Sequence, residues 1–201
     1  MNIYLLRHGD CTTDGVKRYV GQIDYPLSEL GIQQARAWRG FFAAHVPDRV
    51  VCSDLTRTIQ TAENAVGSVG VRIEREPGFR EISLGAWEGV SRQEVRTRFP
   101  GAYAQRGKDL AGFRPPEGES FLDLQKRVVA AFKALCSNLD PDAVVLVVTH
   151  AGVIRVLLCH ILGIRLGQMF SLGVDYARMT HLEAGRKGWV VRWMNVPAPS
   201  V

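Results

Sequence analysis

Ala143-Val144-Val145-Leu146-Val147-Val148-Thr149-His150-Ala151-Gly152 decides the fold. An unbroken apolar run leads into a threonine, a histidine and a loop glycine. A strand buried on both faces reads this way, whereas a strand with one wet face alternates. The N-terminus repeats the layout: Ile3-Tyr4-Leu5-Leu6 runs into Arg7-His8-Gly9. Parallel strands share an exit edge, and ligands bind at that edge. Two histidines at strand exits therefore predict one site. Imidazole serves as a nucleophile or as a proton or charge donor near neutral pH. Arg7 beside His8 points to an anion as the group attacked.

Working outward, the first strand spans Asn2 to Arg7, and a polar loop follows from Asp10 to Pro26. Ser28 reads as the N-cap of a helix over about Glu29 to His45, with Leu30, Ala35, Trp38, Phe41 and Phe42 on its buried side. Arg49 to Cys52 is a short strand. Ser53 or Asp54 caps the next helix, about Leu55 to Val66, and Val71 to Ile73 forms a third strand. The segment over about 78–118 is dotted with glycine and proline. It holds a helix at Ser91 to Phe99 and a long loop from Pro100 to Gly118, and loops of that length are commonly lids or binding segments. An amphipathic helix over Ser120 to Asn138 carries Phe121, Leu124, Val128, Phe132 and Leu135 on one face. The helix Val153 to Leu162 follows the second histidine strand. Two strands, about Tyr176 to Glu183 and Trp189 to Asn195, close the sheet. Alternating strands and helices imply a three-layer α/β/α sandwich with a mostly parallel mixed sheet. No repeat or linker interrupts the chain, so residues 1–201 read as one domain, with a lid or substrate segment at about 78–118.

Composition excludes several classes. The 201 residues are 46% apolar and 22% charged, ordinary for a globular protein. The formal charge of +5 is scattered, so no nucleic-acid stripe stands out, and its one consequence is a weak bias toward anionic substrates. Cys11, Cys52, Cys136 and Cys159 form no C-x-x-C pair and no zinc spacing, a pattern suited to a reducing cytoplasm. Cys52 and Cys159 lie in apolar runs and read as core. No apolar run is long enough for a signal sequence or a membrane span, so neither membrane nor nucleic acid is expected as a partner, and a cytoplasmic location is. The oligomeric state stays open, a homodimer included.

Arg57 stands in the first turn of its helix, in Ser53-Asp54-Leu55-Thr56-Arg57-Thr58. A cation there opposes the helix dipole unless an anion lies between. With Arg7 it would form a fork for phosphate oxygens. Glu81 and Glu88 lie in an apolar-flanked stretch, Phe79-Arg80-Glu81-Ile82-Ser83-Leu84-Gly85-Ala86-Trp87-Glu88-Gly89. A shielded carboxylate there can act as a general acid. Spacing alone does not choose between the two. His45, His160 and His181 lack a partner motif and read as helix-end, core-edge or strand residues. A zinc site on His8 and His150 lacks a third ligand pattern. Neither Cys52 to Arg57 nor Cys11 to Arg18 has the spacing of a cysteine phosphatase, and no nucleotide P-loop is present.

These blocks, in this order, resemble the histidine phosphatase superfamily, which includes cofactor-dependent phosphoglycerate mutase and α-ribazole phosphatase. Leu6-Arg7-His8-Gly9 looks like its signature. Gly21-Gln22-Ile23-Asp24-Tyr25-Pro26-Leu27-Ser28 with Gly31 looks like the next block. Ser53-Asp54-Leu55-Thr56-Arg57-Thr58 with Thr61-Ala62, Glu81 with Gly85-Ala86-Trp87-Glu88-Gly89, Gly118-Glu119-Ser120 and Thr149-His150-Ala151-Gly152 continue it. The resemblance implies that His8 attacks phosphorus, that Arg7, Arg57 and His150 hold the phosphoryl oxygens, and that Glu81 protonates the leaving alcohol. Gly21 and Gln22 would line the substrate, and the set calls for no cofactor and no metal.

The chain departs from the family where Asp10, Cys11 and Asp14 replace the common Glu, Thr or Ser, and Asn. An inward aspartate at 14 would repel phosphate, which leaves the Thr12 or Thr13 hydroxyl as the alternative donor, and Cys11 reads as a small filler. The expected substrate is a small phosphorylated metabolite, with α-ribazole 5'-phosphate the nearest in appearance. The alternatives are phosphoglycerate mutase-type transfer, with Arg92, Arg96, Arg98, Arg106, Lys108 or Arg114 meeting a carboxylate, and a non-catalytic phosphate-ligand-binding protein. The compact middle segment favours a phosphatase over a mutase.

Overall fold

The computed structural model describes residues 1–12, 16, 18–186 and 188–199. Six strands form a mixed sheet in the order β3-β2-β4-β1-β5-β6. β1 (Asn2–Arg7), β2 (Arg49–Cys52), β3 (Ile73–Arg75) and β4 (Val144–Thr149) are parallel. β5 (Met179–Gly185) and β6 (Gly188–Val196) add an antiparallel hairpin beside β1. The helices among the described residues are α1 (Glu29–Arg36), α2 (Arg39–Ala44), α3 (Thr56–Val66), α4 (Arg92–Arg98), α5 (Pro100–Lys108), α6 (Phe121–Cys136) and α7 (Ala151–Leu162).

The unbroken apolar run of β4 follows from its place inside the sheet, between β1 and β2. Its side chains alternate between two cores: Val145 and Val147 join one, Leu146 and Val148 the other. The first core is covered by α6 and α7, through Leu124, Val128, Ile154 and Leu157. The second is covered from the opposite face by Trp38 and Phe42 and by Ala62, Ala65 and Val66 of α3. The result is the three-layer sandwich that the sequence predicts.

Four local expectations need correction. The helix expected over Glu29 to His45 is divided after Arg36. Trp38 N–H bonds the Ala35 carbonyl in a tightened turn at 3.1 Å, and its buried indole donates to the Ala177 carbonyl at 2.8 Å. Leu30 is 54% exposed, because α1 turns Gly31 and Ala35 inward instead. The third strand lies at Ile73–Arg75, later than expected, where it pairs with Val50 to Cys52. The expected loop from Pro100 begins as α5, with Pro100 in the first turn, where a fixed φ suits a helix. No residue of α5 is fully buried and only Ala102 and Tyr103 lean on the core, so the apolar stripe from which a helix is read is weak.

Candidate active site

The sheet register brings the two histidines together. Arg7 pairs with Thr149 across β1 and β4, so His8 and His150 leave adjacent strands side by side. His8 N–H closes the ladder on the Thr149 carbonyl at 2.9 Å, and the two imidazole centroids are 5.1 Å apart. On the other side of β4, Ser53 N–H reaches the Val148 carbonyl at 3.2 Å, which makes Ser53 the first residue past β2. Three neighbouring strands thus deliver Ser53, His150 and His8 to one edge.

His8 is almost fully buried, and its Nδ1 lies 2.8 Å from the Gly9 carbonyl oxygen. A carbonyl only accepts, so Nδ1 carries the proton and Nε2 presents a lone pair. Burial, and then the positive charges of Arg7 and Arg57, hold the His8 pKa well below the usual histidine value. The ring is therefore a neutral base with a fixed tautomer. The backbone behind it is tight. A methyl on Gly9 would fall 2.4 Å from the Gly31 carbonyl oxygen, so only glycine lets this loop lie on α1. Gly9 N–H is held by Thr61 Oγ1 at 3.0 Å.

His150 is fully buried. Burial, then Arg57, His8, Arg7 and Arg127, push its pKa well below the usual value. Its Nε2 lies 2.7 Å from Ser53 Oγ, which lies 2.8 Å from Thr58 Oγ1. Thr58 in turn donates to the carbonyl of Ser53 or Leu55. This hydroxyl chain can adapt. When Thr58 donates to a carbonyl, Ser53 donates to Thr58 and accepts from Nε2–H of His150, so Nδ1 is a lone pair in the neutral ring and a donor in the imidazolium. When Thr58 turns its hydroxyl onto Ser53 instead, Ser53 donates to Nε2 and Nδ1 carries the proton. Ser53 and Asp54, both expected as caps of α3, do other work. Asp54 pairs with Arg80, and the cap comes from Asp24, whose carboxylate accepts Thr56 N–H at 2.6 Å and the Thr56 hydroxyl at 2.7 Å.

Arg57 is 1% exposed and lies in the first turn of α3. Its guanidinium donates to the carbonyls of Ile23 at 2.8 Å and Gly21 at 2.6 Å. Part of the charge that the sequence assigns to an anion is thus met by loop dipoles. Arg7 donates to the Val174 carbonyl at 2.8 Å and stacks 3.8 Å over the Tyr176 ring, which itself stands 5.5 Å from His8. Buried Arg7 Nε, Arg57 Nε and His150 Nδ1 have no hydrogen-bond partner among the described residues. Buried polar atoms of this kind are costly while unpaired, and an oxyanion would accept from both arginines, and from His150 whenever its Nδ1 carries the proton.

The structure separates the two glutamates. Glu81 Oε2 accepts Gly152 N–H at 3.0 Å at the start of α7, and Oε1 accepts Ile82 N–H at 2.9 Å. Its carboxylate is therefore beside His150, and its charge reaches Arg57. Glu88 accepts four backbone N–H groups, from Gly21, Gln22, Ile23 and Leu84, at 2.8–3.2 Å. It is the hub of the loop whose carbonyls Arg57 holds. Gly21 contributes its backbone to that frame, and Gln22 Nε2 donates to the Glu81 carbonyl at 3.1 Å.

A cleft of about 570 Å³ opens from Arg7, lined by Cys11, Thr12, Val16, Arg18, Val20, Tyr25, Arg92, Asp175 and Tyr176. Cys11 is buried, as a small filler would be, and the Thr12 hydroxyl donates to Asp10 at 2.9 Å. Thr13 and Asp14 lie outside the described residues. Of the cations named for a substrate carboxylate, Arg92 reaches this cleft, whereas Arg114 pairs with Asp123. His45, His160 and His181 stand apart, at the end of α2, late in α7 and on β5. Sequence reading missed Tyr176 and Thr58, whose parts are visible only across the fold.

Fold and site define an α/β protein with a centre of paired histidines and arginines at the exits of parallel strands. The profile of the histidine phosphatase superfamily (branch 1) matches residues 3–197, and the chain belongs to that superfamily. It is 30% identical over 199 residues to the "Probable phosphoglycerate mutase GpmB" of Yersinia pestis (strain Pestoides F), across 95% of this chain and 91% of that one. Among solved structures it resembles a "putative alpha-ribazole-5'-P phosphatase" from Escherichia coli str. K-12 substr. MG1655, with TM-score 0.90, 27% identity and coverage of 100% and 98% of the two chains. It also resembles the mycobacterial glucosyl-3-phosphoglycerate phosphatase, with TM-score 0.84, 30% identity and coverage of 97% and 98%. No helix among the described residues is long and apolar enough to cross a membrane.

Proposed function

We propose that the protein is a phosphomonoesterase that works through a phosphohistidine on His8. The observation that carries this reading is the fixed tautomer of His8, with Nδ1 spent on the Gly9 carbonyl and Nε2 left as a lone pair in a neutral ring. Nε2 attacks phosphorus and the ester P–O bond breaks. The carboxyl group of Glu81 gives a proton to the departing oxygen. Arg7, Arg57 and His150 receive the charge on the equatorial oxygens. In the second half water attacks the phosphohistidine, Glu81 takes its proton, and the N–P bond breaks to free phosphate and His8.

The substrate is a small phosphorylated metabolite. Tyr25, Tyr176, Val16 and Val20 give the cleft a surface for an aromatic or apolar leaving group. That surface suits α-ribazole 5'-phosphate, the compound for which the E. coli neighbour is named. A second reading is phosphoglycerate mutase-type transfer. It is favoured by the GpmB relatives and by Arg18 and Arg92 in the same cleft, which would meet a carboxylate. A panel of phosphate esters separates the two. Release of inorganic phosphate, fastest from α-ribazole 5'-phosphate, is expected. Net conversion of 3-phosphoglycerate into 2-phosphoglycerate at a higher rate would overturn the phosphatase reading.

A further inference from the structure

We infer that Arg127 and Glu119 are positioning residues for Glu81, and that they fix the backbone on which the proton donor is carried. The inference rests on the reading of Glu81 as the group that protonates the leaving oxygen.

The segment that carries Glu81 needs such a device. Residues 80–84 belong to no helix or strand, so no ladder holds them. Their backbone groups must find partners elsewhere. The two carbonyls that flank the Glu81 residue, those of Arg80 and Glu81, share one guanidinium, and the second of them also accepts from Gln22 Nε2 at 3.1 Å. Arg127, on α6 between Leu124 and Val128 of the core face, sends Nη1 to the carbonyls of Gly78 and Arg80, both at 3.0 Å, and Nη2 to the Glu81 carbonyl at 3.3 Å. Its remaining donors meet Glu119: Nε to Oε1 at 3.0 Å and Nη2 to Oε2 at 2.8 Å. All five guanidinium donors are thereby used.

Glu119 completes the clamp from the other side. Its Oε2 also accepts Ser83 N–H at 2.9 Å, and its own N–H bonds the Ser83 carbonyl at 2.8 Å. The chain is thus gripped at Arg80 and Glu81 by Arg127 and two residues further on, at Ser83, by Glu119. A surface ion pair would be held in place by little, but both members here are about three-quarters buried. Among the described residues, the hydrogen bonds of Arg127 go to Glu119 and to the carbonyls of Gly78, Arg80 and Glu81. Its role is therefore geometric, and it acts through Glu81.

The fork cannot be replaced by a point charge. Lysine keeps the positive charge that acts on His150 but cannot reach three carbonyls and a carboxylate in fixed directions. Arg127→Lys thus isolates positioning from electrostatics. Glu119→Gln keeps the shape and loses one half of the fork, and it serves as the second variant should Arg127→Lys fold poorly.

The test compares turnover of β-glycerophosphate, an alkyl ester that needs a proton on its leaving oxygen, with turnover of p-nitrophenyl phosphate, which does not. Both variants should lose kcat on the alkyl ester on the order of 10²-fold, the scale of a displaced catalytic group. The aryl ester should be little changed, and KM should hold for both. In a Glu81→Gln background, Arg127→Lys should add no further selectivity. Equal losses on the two esters would reduce the clamp to plain structural support and overturn the inference. A selective loss in Glu81→Gln without one in Arg127→Lys and Glu119→Gln would overturn the positioning role alone. A Glu81→Gln enzyme with no selectivity would remove the acid assignment, and the inference with it.

Discussion

Gly152 donates its backbone N–H to Glu81 Oε2 at 3.0 Å, and a methyl on its Cα would fall 2.2 Å from Glu81 Oε1. One glycine, two residues past His150, thus seats the carboxylate against the first turn of α7. The nucleophile's neighbour and the proton donor share a single helix end.

Gly152→Ala should therefore move Glu81 while sparing the fold. Alanine in a helix is worth up to about 1 kcal/mol over glycine, so thermal stability should hold or rise. Turnover of alkyl phosphates should fall on the order of 10²-fold, with a smaller loss on aryl phosphates. Steady-state rates on the two ester types, set beside a melting curve, check both halves.

Arg57→Ala should injure binding and stability together. The side chain holds two carbonyls as well as facing the histidine pair. Phosphate or vanadate affinity should weaken by about 1.5–3 kcal/mol, the scale of hydrogen bonds to a charged group. The midpoint of thermal unfolding should drop in the same variant, because the Gly21 and Ile23 carbonyls lose their partner. Calorimetric titration and melting on one preparation test the pairing of effects. A loss of affinity with an unchanged midpoint would contradict the loop-holding part.

Glu88→Gln should cost stability and show no dependence on the leaving group. Four backbone N–H groups converge on that carboxylate, and an amide replaces one acceptor oxygen with a donor. A loss of about 1–3 kcal/mol in chemical unfolding is expected from one unsatisfied group. The ratio of alkyl to aryl turnover should stay at the wild-type value.

Stability should fall on the acid side. His8 and His150 are held neutral by burial first and by neighbouring arginines second, so their folded pKa values lie below the unfolded value of about 6.5. Above that pH both states are neutral and nothing is lost. As pH falls below it, the unfolded chain takes up protons that the folded chain refuses, and unfolding becomes easier. Each histidine contributes a slope of up to about 1.4 kcal/mol per pH unit in that window. Denaturant unfolding between pH 7.5 and 5, in a buffer free of phosphate and sulfate, should show the decline, and His150→Gln should flatten it.

Much of this was legible in the chain. Arg7, His8 and His150 were placed by strand exits, since an apolar run that ends in a polar triplet is a local signal. The three layers followed from alternation of strands and helices. Other parts depend on contacts that leave no local mark. Asp24 caps α3 from 32 residues away. Glu88 looks like any loop acid until Gly21, Gln22 and Ile23 fold onto it. Ser53 reads as a cap because it precedes a helix, yet the β2–β4 pairing turns it toward His150. α5 escaped because none of its residues is fully buried and only Ala102 and Tyr103 lean on the core, which leaves a weak periodic signature.

The central claim is tested most directly at His8 itself. Enzyme mixed with a labelled aryl phosphate and quenched in base within one turnover should carry phosphate on His8. The bond should be stable in alkali and lost in acid, because protonation makes the ring nitrogen a good leaving group. Peptide mapping by mass spectrometry should place the label on His8, and His8→Ala should abolish both the label and turnover. Label on another residue, or near-normal turnover in His8→Ala, would contradict the account.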